Sequence, residues 1–303
     1  LARIPLRVHV AGTRGKTAVV RLIAAGLGAR GHRVVAKTTG TIPALVLPDG
    51  TARRWRRWGP ASIREQISLV KFAAREGADA LVAECMAIRP DYVDASERLL
   101  LQATLTVITN ARADHAEELG SDKDAVARTL ALTVPQGGRL FLTEESDLPA
   151  IRAMAERRGA AVTRVEVATL APLDANRALA LAVCQALGVA AEVAADGMAR
   201  AAADEGAFAI YHLTVGGQPV RLANAFACND TESFDRLWRH AAAGANRPRV
   251  VLLNARADRP QRTRQFLACI ARITPRPLLF VAGRGVTPAL AIRPGFAPEE
   301  VRA

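Results

Sequence analysis

Residues 7–17 read Arg7-Val8-His9-Val10-Ala11-Gly12-Thr13-Arg14-Gly15-Lys16-Thr17, and this stretch decides the fold. Its first five residues are a short β-like run. Behind it, Ala18 to Ala29 carries apolar residues at 19, 20, 22, 23 and 27, the spacing of a helix with one buried face. In a strand, glycine loop and helix, backbone N–H groups and the helix dipole can receive phosphate oxygens. Gly12-Thr13-Arg14-Gly15-Lys16-Thr17 is therefore read as a phosphate-binding loop. Lys16 would neutralise the β and γ phosphates of a nucleotide, and Thr17 would hold Mg²⁺. The longer G-x4-G-K-T spacing is not met, because Val10 stands at the first glycine position. The competing reading is an ordinary strand-to-helix turn with a chance GKT.

Working outward, Gly31 ends the helix, Val34 and Val35 open another strand, and Lys37-Thr38-Thr39-Gly40-Thr41 closes it in a polar turn. Leu45 to Pro60 is turn-rich and contains Arg53-Arg54-Trp55-Arg56-Arg57-Trp58. A helix from Ser62 to Glu76 leads into the apolar strand Ala78 to Ala83, which ends in Glu84; Leu105 to Thr109 is the next strand and ends at Asn110. Alternation continues to Leu187, which predicts an α/β fold: a mostly parallel sheet flanked by helices on both faces. Gly216-Gly217 and Val220 to Ala223 mark the passage to a second unit. There Val250 to Leu253 and Leu278 to Ala282, separated by a helix from Pro260 to Ile273, make one βαβ unit. The expected division is an ATP-binding domain at 1–222 and a smaller, incomplete Rossmann-like domain at 223–303.

Composition narrows the function classes. Half the residues are hydrophobic and 23% charged, which suits a globular protein and excludes a disordered one. A net charge of +12 invites nucleic acid as a partner. Only Lys16, Lys37, Lys71 and Lys123 among the 41 basic residues are lysines, however, and the chain is alanine-rich, as coding bias in a GC-rich genome would produce. Nucleic acid is therefore not the expected partner, and an anionic nucleotide or polycarboxylate is. Cys85, Cys184, Cys228 and Cys269 show no zinc-like spacing and read as small buried hydrophobes of a reducing compartment. No run of about eighteen apolar residues and no signal peptide occur. The chain starts at Leu1 and not at Met, and an anchor, if any, is expected to lie outside it.

Three further groups carry chemistry. Glu84 leaves its strand at the carboxyl edge of the sheet, where open α/β folds bind ligands, and is either a Mg²⁺ ligand or a helix-dipole partner. Asn110, Asp114 and His115 come toward the same edge, with His115 either a metal ligand or a structural hydrogen-bonding residue. Arg53, Arg54, Arg56 and Arg57 form either a path for a polyanion, with guanidinium forks matching carboxylates, or a solvated loop. Arg256 and Arg259, leaving a later strand, either close over phosphates or make surface ion pairs.

Together the GT-x-GKT loop, the strand-ending Glu84 and the Asn-x-x-x-Asp-His segment resemble the central ATPase domain of the Mur ligase superfamily, which includes folylpolyglutamate synthetase. That resemblance implies ATP and Mg²⁺ as cofactors, metal roles for Thr17, Glu84 and His115, and an adenine contact for Asn176. Within the superfamily, the ligase subunits of poly-γ-glutamate synthases are more similar still. The likeness rests on Lys37 to Thr41, Glu84-Cys85-Met86-Ala87 through Pro90-Asp91-Tyr92, Gln185 to Gly188, Asn224 to Asp230 and Asn254 to Arg259. It implies substrate contacts at Thr39, Thr41, Asn224 and Asn229, nucleotide contacts including Asp258, and γ-linkage of glutamate through an acyl phosphate. It also implies integral-membrane partner subunits at the inner face of the cell membrane. One departure stands out: where Mur ligases carry a carbamylated lysine, this chain has Arg128-Thr129-Leu130. A folylpolyglutamate-type ligase and a nucleotide-switched ATPase of a membrane complex are the alternatives.

Overall fold

The structure is a computed structural model. It describes residues 1–303 apart from 41, 58, 113–121, 168–171, 202–207, 244–248, 258, 284–300 and 303. The chain divides into two compact units, Leu1–Asp204 and Glu205–Ala303. The division falls before the 222/223 boundary expected from sequence, which lies inside a strand.

In the first unit β1 (Leu6–Ala11), β2 (Val34–Thr38), β3 (Ala44–Val46), β4 (Ala52–Arg54), β5 (Ala80–Glu84), β6 (Leu105–Ile108), β7 (Arg139–Thr143) and β8 (Ala161–Val165) form one sheet. Its order is β4-β3-β2-β5-β1-β6-β7-β8. The six strands β2, β5, β1, β6, β7 and β8 are parallel, and β3 and β4 add an antiparallel arm at one edge. β1 lies between β5, reached after β2, and β6, the first strand on the other side. The order of the chain reverses at β1, so the crevice for a ligand opens at its carboxyl end.

The strands are near-continuous apolar runs because both faces are covered. On one face α1 (Lys16–Ala29) lays Val19, Val20, Ile23 and Leu27 against Val8, Val10, Ala36 and Val82. Each such side chain contributes about 1.5–3 kcal/mol on burial. α6 (Pro172–Ala186) and α7 (Ala191–Ala199) complete this layer with Leu179, Val183, Ala194 and Met198. On the other face α2 (Glu65–Arg75) covers Val35, Leu81 and Ala83 with Leu69 and Ala73, beside a π-helical turn at Ser96–Leu101 that follows α3 (Pro90–Ala95). Farther along, α4 (Lys123–Ala131) and α5 (Pro149–Arg157) pack Val126, Leu130 and Ile151 on Ile108, Leu140 and Leu142.

The second unit contains an antiparallel hairpin, β9 (Ala209–Val215) and β10 (Gln218–Asn224), joined at Gly216–Gly217. β9 had no counterpart in the sequence reading. After α8 (Thr231–Ala242), β11 (Val250–Asn254), α9 (Pro260–Ile270) and β12 (Leu278–Ala282) form the expected βαβ unit, and β13 (Val301–Arg302) pairs with β12 in parallel. Its core joins Val251, Leu267, Ile270, Leu279 and Val281, with Phe234 and Trp238 packed against it.

Candidate active site

The glycine loop turns through two backbone conformations closed to most side chains. Gly12 has φ 128° and Gly15 φ 82°. A Cβ on Gly12 would collide with Thr109 Oγ1, and one on Gly15 with the Asn176 carboxamide. Glycine at both positions lets the backbone lie against β6 and α6. Asn176 thus sits against the loop, where the sequence placed a nucleotide contact.

Lys16 and Thr17 open α1. The Lys16 ammonium donates to the Gly12 carbonyl at 2.6 Å and lies 3.4 Å from that of Thr13, so it folds over the loop it serves. The Thr17 hydroxyl donates to Glu84 Oε2 at 3.0 Å, and the Thr39 amide donates to the same oxygen at 2.6 Å. Thr17, Thr39 and Glu84 are therefore brought together from α1, the end of β2 and the end of β5. Glu84 is only 6% exposed, and among the described residues no cation lies within ion-pair distance of it. A buried carboxylate beside a hydroxyl, without a cation, is a hard-oxygen donor pair that fits Mg²⁺. Among the described residues no group of three or more His, Cys, Asp or Glu surrounds a metal position. His115, its neighbour Asp114, Thr41 and Asp258 lie outside the described residues.

Asn110 is engaged by the glycine loop. Its Oδ1 accepts from Thr13 Oγ1 at 2.6 Å and from the Arg14 amide at 3.0 Å, while its Nδ2 donates to the Arg14 carbonyl at 3.0 Å. The Thr13 amide donates to the Asn110 carbonyl at 3.2 Å, and Thr109 Oγ1 donates to the Arg14 carbonyl at 2.5 Å. Asn110 is a brace for Thr13 and Arg14, with its carboxamide engaged by the loop. The next residues continue the brace. The Arg112 amide donates to Thr13 Oγ1 at 3.0 Å, and the buried Arg112 guanidinium grips Glu145 through Nε at 2.5 Å and Nη2 at 3.0 Å.

The basic run occupies β4 and the chain after it. Arg53, Arg54 and Arg56 are exposed, and the Arg53 guanidinium lies 5.0 Å from the Phe72 ring. Arg57 is committed instead to Glu65, Nε to Oε1 at 2.8 Å. Glu65 also meets Lys37, Nζ to Oε2 at 2.8 Å, and Lys37 lies 5.1 Å from the Trp55 ring. Burial lowers the pKa of Lys37 and nearby Arg57 adds to this, against the opposing pull of Glu65 and Glu84. Burial would raise Glu65, but Lys37 and Arg57 outweigh it and hold the carboxyl below its usual range. The sequence reading missed both partners. The available signal was a lysine inside an apolar strand, Val34-Val35-Ala36-Lys37, which needs a buried counter-charge.

In the second unit, Asn224 Oδ1 accepts from the Phe226 amide at 3.2 Å and Asn229 Oδ1 from Arg262 Nη1 at 3.0 Å. Arg256 follows β11, and Arg259 caps the start of α9.

Comparison with known proteins agrees with this fold. Residues 10–185 match the Mur ligase middle domain, and residues 210–301 match the poly-gamma-glutamate synthase CapB C-terminal domain. The capsule biosynthesis protein CapB of Bacillus anthracis is 34% identical over 95% of this chain and 65% of its own length. The PGA synthase CapB of Bacillus subtilis (strain 168) is 33% identical over 87% of this chain and 70% of its own length. The chain thus spans about two thirds of the length of these relatives. E. coli FolC, in complex with ADP and without folate substrate, superposes with a TM-score of 0.68 at 18% identity, covering 97% of this chain and 80% of that one.

Proposed function

Because the chain belongs to the Mur ligase family, in the group of poly-γ-glutamate synthase CapB proteins, we propose that it is an ATP-dependent amide ligase that joins glutamate units through their γ-carboxylates. The observation that supports this most directly is the meeting of Thr17 and Glu84 beside a glycine loop carrying Lys16. The fold shared with E. coli FolC, whose structure is a complex with ADP, is consistent with a nucleotide as ligand.

In the proposed reaction an oxygen of the glutamate-chain carboxylate attacks the γ-phosphorus of ATP. The bond to the β,γ-bridging oxygen breaks, and ADP leaves with that oxygen. The amine of a second glutamate then attacks the acyl carbon, inorganic phosphate departs, and the amine proton passes to solvent. The acyl phosphate supplies the driving force that an ionised acid and an ammonium lack. The chain's own share is positioning and charge. Lys16 exchanges the Gly12 carbonyl for phosphate oxygens, and Asn110, by engaging Thr13 and Arg14, holds the loop in the shape that presents its other amides to the same charge. Thr17 and Glu84, with His115 proposed beside them, would hold Mg²⁺, which when bound neutralises phosphate oxygens. Asn176 is assigned to the nucleotide base. Arg256, Asp258 and Arg259 are assigned to the phosphates, and Thr39, Thr41, Asn224 and Asn229 to substrate. Arg53, Arg54, Arg56 and Arg57 are assigned to the polyanionic chain.

The proposed setting is the inner face of the cell membrane, with integral-membrane partner subunits. Among the described residues no helix is long and apolar enough to cross a membrane. The test is to incubate the chain with its membrane partners, ATP and isotopically labelled glutamate. The expected product is γ-linked polymer, with phosphate release that depends on glutamate. Hydrolysis that proceeds equally without glutamate, with no amide by mass spectrometry, refutes the ligase reading in favour of a nucleotide-switched ATPase.

A further inference from the structure

Glu65 is held as a bound substrate would be. One oxygen of its carboxylate meets the Lys37 ammonium at 2.8 Å; the other meets Arg57 Nε at 2.8 Å and the Ser62 amide at 3.3 Å. Trp55 lies beside the ammonium, its ring centre 5.1 Å from Nζ. Two cations, a backbone donor and an aromatic wall make a receptor for one carboxylate, with the donors converging from β2 and from the stretch before α2.

Its position matters. Lys37 belongs to β2 and pairs in register with Ala83, the residue before Glu84. Thr39, two residues after Lys37, donates its amide to Glu84. The receptor therefore lies at the carboxyl edge of the sheet, one strand from the Thr17–Glu84 pair.

A purely structural ion pair fits less well. Burying a lysine and a glutamate together costs desolvation that an apolar pair avoids, so such a pair is weak support for a fold. Nor does the packing of α2 depend on Glu65. It is the first residue of that helix, whose buried side chains are Gln66, Leu69 and Ala73, and the described residues among 55–64 before it have no regular secondary structure.

Resting on the ligase reading above, we infer that Lys37, Arg57 and the Ser62 amide form the receptor for a glutamate carboxylate, and that Glu65 is its internal occupant when no substrate is present. Substrate binding is then an exchange of one carboxylate for another. The apparent affinity for substrate is reduced by the fraction of time that Glu65 is in place. Glu65 also keeps two cations neutralised at the edge of the crevice, which disfavours capture of inorganic anions there.

Glutarate, a dicarboxylate without an amine, tests this by calorimetric titration, with ADP titrated in parallel. Glu65→Gln removes the occupant's charge, and the variant is expected to bind glutarate roughly tenfold more tightly than the wild-type chain, as release of a site occupied nine-tenths of the time requires. The double variant Lys37→Met, Glu65→Gln leaves no unpaired buried charge and is expected to lose that gain. Arg57→Gln, at the rim of the receptor and made in the Glu65→Gln background where the internal carboxylate no longer competes, is expected to weaken glutarate binding without altering that variant's melting curve, and it serves if the Lys37→Met variant does not fold. Glutarate binding to Glu65→Gln no tighter than to wild type, or binding undiminished by the second substitution or by Arg57→Gln, overturns the receptor. The ligase reading fails separately, if ATP and glutamate yield no acyl phosphate trappable by hydroxylamine.

Discussion

Thr17 and Glu84, 67 positions apart in the chain, are joined by a 3.0 Å hydrogen bond from hydroxyl to carboxylate. The bond exists because β1 and β5 are adjacent parallel strands, with Val10 in register with Glu84, and α1 begins directly above that pair. The carboxylate is nearly buried and takes its contacts from a hydroxyl and the Thr39 amide.

Glu84→Gln keeps an acceptor for both donors and removes the charge. The half-saturating Mg²⁺ concentration for ATP turnover is expected to rise by at least roughly tenfold, the lower range seen even for outer-shell partners of metals. The metal-free variant should melt no lower than wild type, since Gln keeps the acceptor for Thr17 and Thr39 and removes a charge that is costly to bury. A lower melting temperature with unchanged Mg²⁺ dependence would show Glu84 to be structural.

Lys16→Ala removes the charge that faces the transferring phosphoryl group. Loss of one such stabilising donor typically lowers kcat about 10²–10³-fold. The lysine's recorded partners are carbonyls of its own loop, so the variant should keep its circular dichroism spectrum. Amide formation at the wild-type rate would exclude the assigned role.

Asn110→Ala tests the brace. The substitution strips Thr13 and Arg14 of three hydrogen bonds, while the Thr13 hydroxyl keeps the Arg112 amide and the Arg14 carbonyl keeps Thr109 Oγ1, so the cost is about 0.5–1.5 kcal/mol for each bond lost. Urea denaturation should register the loss, and ADP affinity should fall with it. If Asn110 touched the nucleotide instead, affinity would drop while the urea midpoint held.

Residues 7–17 made the central unit legible, since strand, glycine loop and helix each have their own local signature. Glu84 was legible for the same reason, as a charge ending an apolar run. What stayed hidden depends on register. The apolar run before Glu84 does not reveal that β5 inserts between β1 and β2, which carries Lys37 to the edge of the crevice. Asn110 was placed at the correct edge, but its partners come from a loop 97 residues earlier, so its bracing role could not be read. β9 was missed because Ile210-Tyr211-His212-Leu213-Thr214-Val215 alternates without a buried face: its side chains from Tyr211 onward are exposed.

His9 supplies a pH test of the opposite face. Its Nδ1 pairs with Glu97 Oε2 at 2.8 Å, while the other Glu97 oxygen accepts from the Ala103 amide at 2.8 Å. Burial pulls the imidazolium pKa down, but Cys85 and then Glu97 outweigh it and push it from 6.5 up to about 10. A folded-state pKa above the unfolded one means that the folded chain binds the extra proton. The stabilisation is therefore complete below pH 6.5 and is lost as pH rises toward 10. Urea midpoints of the wild-type chain should fall across that interval more steeply than those of His9→Asn, which has no proton to lose. Equal slopes would mean that His9 is buried neutral and that Glu97 holds it by an uncharged hydrogen bond.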